Sequence, residues 1–347
     1  MECDRLPWTE KYRPPDLDSI ISHKDIINTI KSFTEVGQIP HLLFHGPPGT
    51  GKTSTILAIS KHLYGNYANV YVLELNASDD RGINVVRDKI KTFAEALNRF
   101  VPSSDNPANQ VKTNLKLIIL DEADQMTNAS QGALRRIMEI YAKNVRFCLI
   151  CNYMHKIISP IQSRCTGFRF SPLDENDLRR RTLEIATNEG ITLEENGLSA
   201  LIEIAQGDMR KVLNTFQIAA MSKLDSQDRN IIDVNDILNA SGTPLEDEVK
   251  SIFNALVQST FSECIQIIRH VQELKGYSLQ DLVTCLYKLI IKIDWPTIVI
   301  VQLIIRMADI EERLATGANE NIQICALVSA FTEARFEIER IKFEISH

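Results

Sequence analysis

Residues Gly46-Pro47-Pro48-Gly49-Thr50-Gly51-Lys52-Thr53 carry the spacing G-x-x-x-x-G-K-[ST]. Glycines at those places let the chain turn so that several backbone N–H groups face one point, where they can surround phosphate oxygens. Lys52 adds a cation long enough to reach a β- or γ-phosphate. The Thr53 hydroxyl is a hard oxygen ligand suited to Mg²⁺. The chemistry this run can do is to hold a nucleoside triphosphate, with Ser54 continuing into the helix behind it.

A second group lies about seventy residues on, at Asp121-Glu122-Ala123-Asp124 after the apolar run Leu117-Ile118-Ile119-Leu120. An acidic pair at the end of a strand beside a phosphate loop has two uses. Asp121 would hold the shell of the Mg²⁺ ion, and Glu122 would polarise an attacking water. The bland alternative is a solvated acidic turn.

These groups need elements to carry them. His41-Leu42-Leu43-Phe44-His45 reads as a strand running into the glycine-rich turn, and Ser54 to His62 as the helix that leaves it. Residues 70–75, 117–120, 146–151 and 168–170 read as further strands, separated by helical patterns. Strands this apolar, alternating with helices, predict an α/β fold with a buried parallel sheet. From 174 to 239 the periodicity is helical with no convincing strand. A turn at Ser241-Gly242-Thr243-Pro244 precedes a second helical stretch, with stops at Lys275-Gly276 and Trp295-Pro296. The expected organisation is a nucleotide-binding domain over 1–172, a small helical domain over 173–242 and an all-α domain over 243–347. Residues 102–114 read as a long polar loop.

The chain has 347 residues, 44% of them hydrophobic, and a net charge of −7. That is enough for a sizeable core, and too acidic overall for a free-standing nucleic-acid binder, although a local basic surface stays compatible. Seven scattered cysteines do not make a disulfide framework. Cys148 and Cys151 have metal-like spacing but sit in a strand, where residues three apart face opposite ways, so two buried cysteines are expected. No apolar run is long enough to span a membrane. The first residues lack a secretory pattern, which leads to the expectation of a cytosolic or nuclear protein.

Beyond the two groups above, Trp8-Thr9-Glu10-Lys11-Tyr12-Arg13-Pro14, Glu74 to Ile83 (ELNASDDRGI), Ala133-Leu134-Arg135-Arg136, Ser163-Arg164-Cys165 and Gly207-Asp208-Met209-Arg210 occur in order. Together they resemble the small subunits of replication factor C, sliding-clamp loaders of the AAA+ ATPase family. Residues 148–153 and 307–311 look most like the branch numbered five in animals and three in yeast. The resemblance implies an AAA+ P-loop domain, a helical lid and a C-terminal collar through which subunits assemble.

It also implies roles. Tyr12, Arg13 and Pro14, with Ile20 and Ile21, would pack around the adenine of ATP, the two isoleucines being equally readable as core. Asn152 would be the first sensor of the γ-phosphate and Arg210 the second. Arg164 would be an arginine finger serving the neighbouring subunit's ATP, so the isolated chain should bind ATP and hydrolyse it slowly. Arg81, Arg87 and Lys89 would contact DNA phosphates without sequence preference. Leu97, Phe100 and Val101 would anchor the sliding clamp or belong to the core. Arg135 and Arg136 stay open between coupling DNA sensing to the nucleotide site, contact with the next subunit and an ordinary surface salt bridge.

The implied partners are the other subunits of a hetero-pentamer, the clamp and primer-template DNA, in the nucleus, with no membrane. The letters D-E-A-D also occur in RNA helicases, but no second helicase core follows. A nucleotide-binding scaffold with little turnover, and a different AAA+ activity such as branch migration, are the rivals; intact Glu122 and Asn152 disfavour the first and Ser163-Arg164-Cys165 the second.

Overall fold

Apolar runs in the first half become strands joined through helices, which is the connection that parallel pairing requires. The structure, a computed structural model, describes residues 6–36, 38–77, 83–96, 115–223 and 231–345. In chain order these form α1 (Trp8–Lys11), α2 (Lys24–Val36), β1 (His41–His45), α3 (Lys52–Tyr64), α4 (Ala68–Tyr71), β2 (Val72–Asn76), α5 (Ile83–Glu95), β3 (Lys116–Asp121), α6 (Asn128–Ile140), β4 (Val145–Cys151), α7 (Ser159–Gln162) and β5 (Cys165–Arg169). There follow α8 (Glu175–Glu189), β6 (Thr192–Leu193), α9 (Glu195–Ala205), α10 (Met209–Ser222), β7 (Ile231–Ile232), α11 (Val234–Ser241), α12 (Glu246–Gln258), α13 (Phe261–Lys275), α14 (Leu279–Ile290), α15 (Thr297–Ala315) and α16 (Glu320–Ile345).

Strands β1 to β5 form one sheet in the order β2-β3-β4-β1-β5, every pair parallel. Side chains alternate across it. Leu42, Phe44, Cys148 and Ile150 face one core with Ile56 and Ile59 of α3; Leu43, Phe147, Leu149 and Cys151 face the other with Ile90 of α5 and Leu134 of α6. Cys148 and Cys151 are thus buried on opposite faces, as expected of strand residues three apart. Phe44 meets Phe168 and Phe170 at ring-centroid distances of 5.9 and 5.1 Å, and truncating such a side chain to Ala costs about 3–5 kcal/mol.

Several sequence expectations move. The strand expected at 70–75 starts at Val72, because Tyr71 ends α4 and stacks its ring on Tyr64 at 5.4 Å. The strand expected at 168–170 runs from Cys165 to Arg169. It is an edge strand, half open on its outer face, so its pairing with β1 leaves no apolar alternation to read. The stretch 174–239, expected to hold no strand, contains the two-residue strands β6 and β7. The helix expected over 54–62 extends from Lys52 to Tyr64. The polar stretch 102–114 lies outside the described residues.

The chain divides into two compact units, Met1–Gln217 and Ile218–His347. In the second, α12 to α16 enclose a core that includes Ile252, Leu286, Leu303, Leu327 and Phe331. Gly242 and Gly276 end α11 and α13 at φ 68° and 72°, and Pro296 opens α15, as their positions predict. Among the described residues no helix is long and apolar enough to cross a membrane.

Candidate active site

Three strand ends meet at one edge of the sheet. β4 lies between β1 and β3, so Asn152, the residue after β4, falls between the loop leaving β1 and the acidic turn leaving β3. Open parallel sheets bind ligands at this carboxyl edge, where successive connections diverge.

Lys52 opens α3 and is 7% exposed. Its Nζ donates to the carbonyls of Gly46 and Pro47, each at 2.7 Å, and to Asn152 Oδ1 at 3.1 Å. All three N–H groups of the ammonium therefore have acceptors. Burial pushes its pKa down, Asp121 pulls it back up and Arg210 lowers it again. Thr53 Oγ1 donates to Asp121 Oδ2 at 2.8 Å, while Asp121 Oδ1 accepts the N–H of Glu122 at 2.8 Å. Glu122 holds φ 52°, a left-handed conformation uncommon outside glycine, and so turns the chain from β3 towards α6.

The oxygens of Thr53 and Asp121 suit a hard divalent cation. Mg²⁺ beside a triphosphate is completed by phosphate oxygens and water rather than by a protein cage. Among the described residues no group of three or more His, Cys, Asp or Glu is placed to hold a metal alone.

A cleft beside the loop opens to solvent and is lined from three sides. Gly49, Thr50, Gly51, Thr53 and Ser54 form one wall. Tyr12, Arg13, Pro14, Ile20 and Ile21 form the second, and Asp177, Arg181, Met209, Arg210 and Leu213 the third. Ile20, which lines this cleft, also packs on the sheet core. The second wall is pinned to α8: Tyr12 and Lys11 both donate to Glu189 Oε1, Lys11 at 2.7 Å, and Arg181 donates to the Tyr12 carbonyl at 3.2 Å. Burial, and then Glu189, raise the Tyr12 pKa to about 12, keeping the phenol a donor.

Asp208 closes the loop against α10. Its Oδ1 accepts the N–H groups of Arg210 and Lys211 at 2.8 and 3.2 Å, and Met209 N–H donates to the Gly49 carbonyl at 3.2 Å. Gly49 has φ +66°, and a Cβ there would stand 1.6 Å from Asp208 Oδ1. Gly46 is equally confined, its Cβ position 2.1 Å from the Phe170 carbonyl oxygen. Pro48 is on the exposed outside of the loop.

The structure pairs Lys52 with Asn152 and Thr53 with Asp121, sets Glu122 beside Asp121 through its backbone N–H, and places Arg210 in the lining of the cleft. Arg164 stands apart. Cys165, its neighbour, pairs with His41 at the start of β1, whereas the phosphate loop follows His45 at the other end. Four strand steps, about 13 Å, separate the two levels. Arg135 Nε donates to Glu139 at 3.2 Å, and Arg136 is exposed. Lys89 is exposed on α5, and Arg87 lies on the same helix. Arg81, Leu97, Phe100 and Val101 lie outside the described residues.

Sequence reasoning missed Asp177, Arg181 and Gln131. The first two sit four apart in the charged run 174–181, where nothing marks which charges face a cleft. Gln131 is 1% exposed; it donates to the carbonyls of Met126 and Lys156 and accepts from Ile158 N–H, tying α6 to the chain that follows Asn152. A polar residue on the apolar face of a helical pattern was the available signal.

Comparison with known proteins gives consistent matches. The family described as ATPase family associated with various cellular activities (AAA) matches residues 42–173, and Replication factor C C-terminal domain matches 244–330. The chain is 44% identical to probable replication factor C subunit 5 of Dictyostelium discoideum, over 96% of this chain and 92% of that protein. It is 42% identical to replication factor C subunit 3 of Saccharomyces cerevisiae, over 99% and 97%. With replication factor C subunit 5 of Homo sapiens the figures are 42%, 95% and 92%. Among solved structures, the Thermotoga maritima RuvB Holliday junction branch migration motor superposes with a TM-score of 0.51 at 15% identity, covering 77% of this chain and 86% of that one. A likeness at that identity speaks for the fold alone.

Proposed function

The chain belongs to the replication factor C family of AAA ATPases, and we propose that it is a motor subunit of a clamp loader: one that binds ATP with Mg²⁺, helps to open a sliding clamp and place it on primer-template DNA in the nucleus during replication and repair, and hydrolyses ATP when DNA is engaged. The observation that carries this is the meeting of Lys52, Asn152, Thr53 and Asp121 at the carboxyl edge of the sheet.

In this reading the adenine lies against Tyr12, Arg13, Pro14, Ile20 and Ile21, and the triphosphate crosses the loop from Gly46 to Ser54. Mg²⁺, held by Thr53 and Asp121, supplies charge neutralisation on the phosphates. Glu122 polarises a water and Asn152 orients it. Its oxygen attacks the γ-phosphorus, the bond to the β–γ bridging oxygen breaks, and ADP and inorganic phosphate leave. Lys52 and Arg210 offset the negative charge of the triphosphate from two sides.

Arg164 acts in the neighbouring subunit's site, and this chain's ATP receives an arginine from another subunit. The level of Arg164 at the far end of β1 supports that division of labour. A finger of this kind is worth about 10³–10⁵ in rate, which makes the isolated chain a slow ATPase. Arg81, Arg87 and Lys89 contact DNA phosphates, and Leu97, Phe100 and Val101 contact the clamp. The chain is organised as a nucleotide-binding domain (1–172), a lid (173–242) and a collar (243–347) that assembles a hetero-pentamer; the family matches, which end at 173 and resume at 244, support those borders.

The test is Glu122→Gln in the assembled complex. Loss of DNA-stimulated phosphate release with ATP binding intact is expected. Unchanged release would make this subunit a nucleotide-holding scaffold instead.

A further inference from the structure

Glu139 occupies the last turn of α6, where the carbonyl end of the helix dipole disfavours a carboxylate. Two guanidinium groups meet it there. Its Oε1 accepts from Arg135 Nε at 3.2 Å and from Arg164 Nη2, while Arg164 Nη1 donates to the Pro160 carbonyl at 2.8 Å. All three side chains are 34–44% exposed, so the cluster contributes little to folding stability.

We infer that Glu139 is a positioning residue for Arg164: it fixes the guanidinium, with Arg135 bracing the carboxylate from the same helix, so that the finger is already aimed when a neighbouring subunit's phosphates arrive. An arginine side chain has several freely rotating bonds, and ordering it at the moment of catalysis costs free energy; a preset geometry avoids that cost. The guanidinium has five N–H groups, and the two contacts use two of them, which leaves donors for phosphate oxygens. α6 makes the placement rigid. Its 13 residues span about 20 Å from the acidic turn at the carboxyl edge of the sheet to the level where β5 begins. Thr127 caps its start by accepting the Ser130 N–H at 3.2 Å.

This rests on the finger role given to Arg164 above, and a double-mutant cycle separates the two ideas. Complexes are assembled with the unaltered chain, Glu139→Gln, Arg164→Ala and both together, and ATP hydrolysis in the presence of clamp and primer-template DNA is resolved into kcat and KM. Glu139→Gln is expected to lower kcat at least threefold with KM unchanged, the thermal midpoint of the complex staying within about 2 °C. The double variant is expected to match Arg164→Ala, because Glu139 has nothing left to aim. A Glu139→Gln complex at the full rate overturns the inference, as does a double variant slower than Arg164→Ala by the same factor that Glu139→Gln shows alone. Full activity of Arg164→Ala removes the finger role itself, and the inference with it.

Discussion

Thr53 Oγ1 donates to Asp121 Oδ2 across 2.8 Å, joining the first turn of α3 to the end of β3. The bond brings together two oxygens of the kind Mg²⁺ selects. Thr53→Val keeps the volume and removes the hydroxyl. Phosphate release by the assembled complex is expected to fall by about 10²-fold in that variant, while Thr53→Ser, which keeps the oxygen, holds the rate within a few-fold. Chelation of Mg²⁺ with EDTA is expected to stop turnover in both. Equal rates for Val and Ser would detach this hydroxyl from the chemistry.

Lys52 is buried with three acceptors on its ammonium. Lys52→Met preserves the length of the stem and deletes the charge. Hydrogen bonds to charged groups contribute about 1.5–3 kcal/mol, so affinity for an ATP analogue, followed by fluorescence titration, is expected to weaken about 10- to 100-fold. Asn152→Ala removes only one of the three acceptors. It is expected to slow hydrolysis while leaving binding close to that of the unaltered chain, and a matching loss of affinity in both variants would contradict separate roles for these two residues.

Gly49 combines a left-handed backbone with the carboxylate of Asp208 where a Cβ would stand. Gly49→Ala is expected to lower unfolding free energy by about 1–3 kcal/mol, the range for backbone strain and steric conflict, measured by denaturant titration. Asp208→Gly removes the opposing atoms while costing the α10 cap only a few tenths of a kcal/mol. The double variant is therefore expected to regain part of the loss. No recovery would place the penalty in the backbone conformation alone.

Much of this site was legible before any coordinates, for a physical reason. Phosphate binding at a strand end needs glycines, a lysine and a hydroxyl in adjacent positions, so Gly46 to Thr53 record it as a continuous string. The parallel strands were legible because burial on both faces demands unbroken apolar runs such as 41–45 and 146–151. Edge strand β5 was misplaced because half of its surface is open and its register is set by backbone pairing with β1. Asp177, Arg181 and Glu139 were illegible as a class: besides near neighbours in the chain, Arg181 meets the Tyr12 carbonyl and Glu139 meets Arg164 from distant segments, Asp177 lines a cleft built from several elements, and only the fold decides which of many surface charges meet. Arg164 shows both sides. A resemblance suggested that it acts outside its own site, and the pairing of Cys165 with His41 supplied a reason in distance.

His41 Nδ1 accepts the N–H of Phe147 at 3.1 Å, a bond that requires the nitrogen to be unprotonated. Burial first, then the charges of Arg146 and Arg164, push its pKa from the ordinary 6.5 down to about 4. In that interval the unfolded chain binds a proton that the folded chain refuses. The stability tied to neutral His41 is therefore present in full above about pH 6.5 and is lost progressively as the pH falls towards 4. His41→Asn offers an acceptor oxygen in place of Nδ1 and does not titrate. Thermal unfolding midpoints followed from about pH 7 to about pH 4.5 are expected to decline more steeply for the unaltered chain than for the variant. His23 and His45, whose pKa values burial also lowers, titrate in both proteins. The difference between the two curves thus isolates His41, and parallel curves would mean that its proton is not coupled to folding.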